Sequence, residues 1–163
     1  MATAGPNRLL ISDLISAATV ELRLTGRLRD DVLNELVAKI PEIAKKTEAR
    51  QTLLRALQER EQLHSTGIGD GVALPHARNA LVGLVEKPVI VFGRHEKGIA
   101  YGSIDAQPVR LFFLLVTTTV TQHLQILARI SRLVRDPTLR QNLLVADRVE
   151  NVLTLIREAE GRM

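Results

Sequence analysis

The apolar positions along the chain change period several times, and each change marks an element. Leu9 to Ile15 reads as a short helical turn. Val20, Leu22 and Leu24 alternate with Glu21 and Arg23, the period of a half-buried strand, and Gly26 ends it. Leu28, Val32, Leu36 and Ile40 then recur every fourth residue, with Leu33 and Val37 beside them. That is one helical stripe, stopped by Pro41. A second helix is expected from about Glu48 to Leu63, with Leu53, Leu54 and Leu57 on its apolar face. After a glycine-rich loop come short strands at Val72 to Leu74 and Val89 to Phe92, and a third short element at Gly98 to Gly102. Val109 to Val116, VRLFFLLV, is continuous and apolar, as a central strand covered on both faces requires. From about Thr121 the helical period returns. Leu124, Leu127 and Val134 form its stripe, widened by Ile126, Ile130 and Leu133. Asp136-Pro137 breaks that helix and starts a short one through Leu144. Asp147 is placed to cap a last helix with Val152, Leu155, Ile156 and Ala159 on one side. The order argues for one α/β domain, residues 9–160, whose sheet is covered by helices. Residues 1–8 read as a disordered tail.

Composition narrows the function. With 163 residues the chain fits one domain and buries enough surface for a core without staples. It has no cysteine, which removes disulfides, thiolate metal sites and cysteine nucleophiles and agrees with a cytoplasmic location. Asp13 interrupts the N-terminal apolar residues, so no signal peptide is expected. No segment approaches the roughly 20 apolar residues of a membrane span. The longest, Val109 to Val120, contains Arg110 and three threonines. The net charge of +4 raises nucleic acid as a partner, but the arginines are spread along the chain and aromatic residues make up 2%. Base stacking has little to work with, and no nucleic-acid partner is expected.

The candidate chemistry lies in STGIGDGVALPHAR, Ser65 to Arg78. Gly67, Gly69 and Gly71 precede a short apolar run that ends in Pro75-His76. Imidazole can exchange a proton near neutral pH, bind a metal or attack an electrophile. His123 falls in the first turn of a predicted helix, where free backbone N–H groups and a partial positive charge favour anions. If the fold brings it near His76, a phosphoryl group could sit between them. Zinc is the competing reading, but HEXXH is absent and no His/Asp/Glu trio has compact spacing. GIGDGVA lacks the Gly-Lys-Ser/Thr ending of a Walker A loop, so ATP binding by that route is unsupported. On the plainer readings, the glycines mark an ordinary turn and His76 a satisfied surface histidine. His64 ends a helix beside the loop. His95 lies in GRHEKG, read as an exposed turn. Ser65 and Thr66 have no nucleophile elbow around them. Glu96 and Asp105 are isolated acids in solvated turns, and Asp30-Asp31 suits the first turn of a helix.

EREQLHSTGIGDGVALPHAR closely resembles the active-site segment of the type-2 EIIA domains of the bacterial phosphotransferase system. These are the EIIA modules of the fructose/mannitol class and their nitrogen-regulatory relatives. Arg60-Glu61, Ser65-Thr66-Gly67-Ile68-Gly69 and Pro75-His76 match the family pattern, as do Asp105-Ala106-Gln107-Pro108-Val109 and His123-Leu124. The resemblance runs from about Leu9 to Glu160. It implies a mixed sheet flanked by helices on both faces. It implies that His76 accepts a phosphoryl group from the phosphohistidine of an HPr-type carrier (NPr). His123 would orient the phosphohistidine and Arg60 would neutralise its charge, with no ATP, cofactor or metal at this step. Two departures stand out. The family's Asp-Gly turn is Asp105-Ala106 here, and Arg78 and Arg94 add positive charge expected near the site. No EIIB or EIIC segment lies in these residues, which favours the nitrogen-regulatory branch, acting on a regulated transporter or sensor kinase. A free-standing fructose/mannitol-class EIIA passing phosphate to an EIIB, and a binding module without phosphoryl transfer, are the alternatives.

Overall fold

The computed structural model describes residues 9–78 and 83–163, so the expected tail at residues 1–8 lies outside them. The helices are α1 (Ile11–Leu14), α2 (Arg29–Val37), α3 (Thr47–Leu63), α4 (Val120–Leu133), α5 (Pro137–Val145) and α6 (Val149–Gly161). The strands are β1 (Val20–Glu21), β2 (Gly67–Gly69), β3 (Val72–Ala73), β4 (Val89–Ile99) and β5 (Val109–Val116). One mixed sheet has the order β1-β4-β5-β3-β2. β1 runs parallel to β4 and β3 parallel to β5, while β4–β5 and β2–β3 are antiparallel.

The apolar run of β5 is central, as its composition requires. Leu111, Phe113 and Leu115 enter one core with Ile126, Ile130, Leu143, Val152 and Ile156 of α4, α5 and α6. Phe112, Leu114 and Val116 enter a second with Val32, Leu36, Leu53 and Leu57 of α2 and α3. Side chains alternate across a strand, so one apolar strand feeds two helical layers. The sheet is thus covered on both faces, as expected.

Several boundaries differ from the periodicity. β1 keeps Val20 and Glu21 only, although the Leu24 N–H still bonds to the Arg94 carbonyl at 2.9 Å. The glycine loop is in large part a β-hairpin. Asp70 and Gly71 form its two-residue turn with φ of 56° and 76°, a geometry that Asp-Gly favours. Ile68 bulges out of β2, because Gly67 pairs with Ala73 and Gly69 with Val72. GRHEKG lies inside β4 rather than in a turn. His95 is half-buried there, its Nδ1 accepting from the Gly98 N–H at 3.0 Å and its Nε2 donating to the Gly26 carbonyl at 2.8 Å. The element expected at Gly98 to Gly102 is only the end of that strand. Leu28 is 69% exposed and Leu124 61%. Leu124 stands one position off the line of His123, Ile126, Ile130 and Leu133 that faces the sheet. At α6 the N-cap is Arg148, and Asp147 instead accepts from the Asn151 side chain at 2.7 Å. Asp136 caps α5 through the Thr138 and Leu139 N–H groups, as its Asp-Pro start suggests.

Candidate functional site

The chain leaves β3 through Leu74, held extended by the proline that follows. The Pro75 carbonyl accepts from the Leu115 N–H at 3.0 Å, and His76 forms a parallel bridge with Leu115. These bonds fasten His76 to the central strand. The residue is 8% exposed. Its Nδ1 lies 2.6 Å from the Leu74 carbonyl oxygen. A carbonyl oxygen only accepts, so Nδ1 carries the proton and the lone pair resides on Nε2. Burial lowers the imidazole below its usual pKa, the Leu74 bond opposes the shift, and the charge of Arg60 adds to it. His76 is therefore a neutral base with a free lone pair at neutral pH.

His123 arrives past the same C-terminal end of β5. Past the strand, Thr119 caps α4 by accepting from the Gln122 N–H at 3.1 Å. His123 then falls in the first helical turn, facing inward and 7% exposed. The two imidazole centroids are 5.3 Å apart with a 53° tilt. Nδ1 of His123 is 3.3 Å from the Thr117 hydroxyl. Burial lowers its pKa, and His76 adds to the shift.

Arg60 stands in the last turn of α3, where Nη1 donates to the His64 carbonyl at 2.6 Å. The bond satisfies a carbonyl at the helix end. The guanidinium also lies close enough to His76 to disfavour its protonation. Arg60 and Arg78 line a cleft of about 510 Å³ between α3 and the segment after His76, with Leu63 and Ala77. Arg94 belongs elsewhere. It pairs with Leu111, four residues along β5 from the His76 bridge, and its Nη1 donates to the Leu143 and Ala146 carbonyls. The expected charge of Arg94 near the site gives way to a cap on the end of α5. His64 is exposed at the end of α3.

Ala106 adopts φ of 60°, the left-handed conformation that favours glycine. For an alanine this conformation costs about 1 kcal/mol. Asp105, though exposed, holds this turn to the hairpin, with Oδ1 accepting from Gln107 N–H and Oδ2 from Asp70 N–H. Those bonds lower its pKa.

Two supporting residues receive no role in the sequence reading, Glu61 being named there only within the Arg60-Glu61 match. Glu61 is 4% exposed and accepts from Thr66 N–H at 2.8 Å, the Thr66 hydroxyl and the Tyr101 hydroxyl at 2.9 Å. It ties the end of α3 to the start of the hairpin. Burial and the Glu61 charge push the Tyr101 phenol well up. The sequence signal was there: Glu61 continues the Leu53–Leu57 line, a charged residue on a buried stripe. Thr117 likewise extends the apolar run of β5 with a hydroxyl.

Among the described residues, no three His, Asp or Glu side chains gather as a metal site, and no helix is long and apolar enough to cross a membrane. The geometry offers a buried neutral nucleophile, a second imidazole beside it and an arginine to screen an anion.

The chain matches the family model "Phosphoenolpyruvate-dependent sugar phosphotransferase system, EIIA 2" over residues 13–159. It is 35% identical to a nitrogen regulatory protein of Bradyrhizobium diazoefficiens, covering 82% of this chain and 85% of that protein. It is 33% identical to the fructose-specific EIIABC component of Bacillus subtilis over 91% of this chain. There the chain spans only 23% of the relative's length. The crystal structure of the nitrogen regulatory protein IIA-Ntr from Neisseria meningitidis superposes with a TM-score of 0.77 at 24% identity, covering 90% of this chain and 98% of that one. Sequence match and shared fold agree: the chain belongs to the type-2 EIIA family of phosphotransferase-system components.

Proposed function

We propose that the chain is a phosphoryl-relay regulator in which His76 Nε2 accepts a phosphoryl group from the phosphohistidine of an HPr-type carrier. The observation that carries this reading is the 2.6 Å bond from His76 Nδ1 to the Leu74 carbonyl, which leaves Nε2 as the free nucleophile. The lone pair of Nε2 forms the new N–P bond. The N–P bond on the carrier breaks, and its electron pair returns to the carrier's ring. The positive charge gained by the His76 ring is stabilised through Nδ1–H on the Leu74 carbonyl. Leaving group and nucleophile are both imidazoles, so the exchange is near balance and catalysis reduces to positioning and screening. Arg60 supplies permanent positive charge. His123 orients the phosphohistidine.

The surface around the pair suits a protein partner. Val120 is 62% and Leu124 61% exposed on α4, and Leu63 is 52% exposed at the end of α3. Val120 and Leu124 share α4 with His123, and Leu63 lines the Arg60 cleft with Ala77, so these apolar side chains would meet the carrier. Relatives named nitrogen regulatory protein match over most of their own length, which favours the nitrogen-regulatory role. Phosphorylation would then change the charge that a regulated transporter or sensor kinase reads, in the cytoplasm. A fructose-specific EIIA component of Haloferax volcanii, 33% identical over 71% of this chain, supports the second reading, transfer onward to an EIIB.

Intact-mass spectrometry after incubation with phosphoenolpyruvate, enzyme I and an HPr-type carrier tests the proposal. The expected result is an acid-labile gain of one phosphoryl group that His76→Ala lacks. Equal labelling of wild type and His76→Ala would remove His76 as the acceptor.

A further inference from the structure

Thr117 sits where β5 ends, 2% exposed, in an otherwise apolar stretch. Among the described residues, the hydrogen-bond partner of its hydroxyl is Nδ1 of His123, at 3.3 Å. A hydroxyl both donates and accepts, and its proton must find an acceptor when water is excluded. Were Nδ1 the protonated nitrogen, Thr117 could only accept from it, and the hydroxyl proton would be buried without a partner. Donation from Thr117 to an unprotonated Nδ1 gives the buried hydroxyl proton its partner. Burial thus decides the direction of the bond.

The consequence falls on the other nitrogen. His123 is kept neutral by burial and by the adjacent His76, so it holds one ring proton. With Nδ1 occupied as an acceptor, that proton resides on Nε2. We infer that Thr117 is a positioning residue that fixes His123 as the Nε2–H tautomer, making it a hydrogen-bond donor to the phosphoryl oxygens on His76. The two imidazoles would then be set to opposite tautomers by two different acts of the backbone and its neighbours. The Leu74 carbonyl takes the proton of Nδ1 in His76 and exposes a lone pair. The Thr117 hydroxyl fills Nδ1 in His123 and exposes a proton. A lone pair beside a donor is what attack on a phosphoryl group and binding of its oxygens require. The part of the inference that concerns transfer rests on the phosphoryl-acceptor reading of His76; the tautomer does not.

Nitrogen-15 NMR of the histidine-labelled, unphosphorylated protein at neutral pH reads the tautomer directly. The wild type is expected to show His123 as Nε2–H. Thr117→Val keeps the shape of the side chain and removes the donor, so the His123 signals should move toward the Nδ1–H form. Thr117→Ser should restore them. In carrier-dependent labelling, Thr117→Val should slow transfer at saturating carrier about five- to tenfold, the size of one hydrogen bond. The KM for the carrier should hold, since Thr117 is buried, and Thr117→Ser should recover the rate. A wild-type His123 in the Nδ1–H form would overturn the proposal, as would an unchanged tautomer in a folded Thr117→Val protein or a rate loss that serine does not rescue. Failure of the wild type to accept any phosphoryl group would instead overturn the reading of His76, while the NMR result would still decide the role of Thr117.

Discussion

At the closure between α1 and α6, the buried Glu160 carboxylate has both oxygens occupied; at the end of β5, the buried His76 imidazole has one nitrogen occupied and, among the described residues, no partner on the other. Glu160 accepts from Ile11 N–H at 2.6 Å, from Ser12 N–H and the Ser12 hydroxyl at 3.0 Å, and from Arg129 at 3.0 Å. The carboxylate supplies the N-terminal turn of α1 with the acceptors that its own sequence lacks. Burial alone would raise its pKa, but the Ser12, Ile11 and Arg129 bonds outweigh burial and hold it below the usual carboxylate range. Saturation of this kind serves folding. Around His76 the described residues stop one bond short, and the unfilled position is the one proposed to react. A buried polar group with its partners complete is a fastener, while one held rigidly with a lone pair to spare is equipped for chemistry.

Substitutions can break this contrast from either side. The largest effect is expected from His76→Ala, which should abolish phosphoryl labelling while leaving the thermal midpoint close to wild type. A large fall in stability would mean that His76 is a fastener too. Next comes Glu160→Ala, expected to cost about 3 kcal/mol in urea unfolding because it strands Arg129 and the α1 N–H groups, with transfer rates retained. Arg60→Ala should slow transfer about a hundredfold, as loss of a charge-screening donor does, with the fold intact. An unchanged rate would leave Arg60 only its bond to the His64 carbonyl.

The pH dependence of unfolding sharpens the comparison. His76 and His123 titrate below their ordinary value of 6.5 in the folded protein. As pH falls past that value the unfolded chain binds protons first, so their contribution to stability is lost from there downward. Glu160 titrates below its ordinary 4.5. Its contribution is present above that value and is lost as pH falls through the lower folded pKa. Two declines are therefore expected. His76→Ala should shrink the first, and Glu160→Gln the second. The smallest effect is at the hairpin-facing turn, where Ala106→Gly should stabilise the protein by up to about 1 kcal/mol by relieving a left-handed alanine.

The two regions were not equally legible. The apolar pattern marked α2, α3 and α6 by their stripes and β5 by its unbroken run, and Asp136-Pro137 marked the start of α5. The site rested on chemistry that local sequence carries only in part. Pro75-His76 after an extended Leu74 marked the proposed nucleophile, and His123 at a helix start marked the proposed anion-binding end, but the 5.3 Å approach of the rings needs the pairing of His76 with Leu115. Placing Leu124 on the buried stripe failed because His123 itself occupies the inward position. Long-range contacts account for the other differences. His95 is drawn into β4 by Gly26, far back in the chain. Arg94 is claimed by carbonyls at the end of α5. The Glu160 fastener joins residues 149 positions apart, a pairing that periodicity and local motifs do not encode.

The measurement that bears most directly on the free nitrogen is phosphorus-31 and nitrogen-15 NMR of the phosphorylated protein with labelled histidine. Phosphorus–nitrogen coupling to Nε2 of His76, with Nδ1 still protonated against the Leu74 carbonyl, is the predicted result. Coupling to Nδ1, or to any other histidine, would contradict the account.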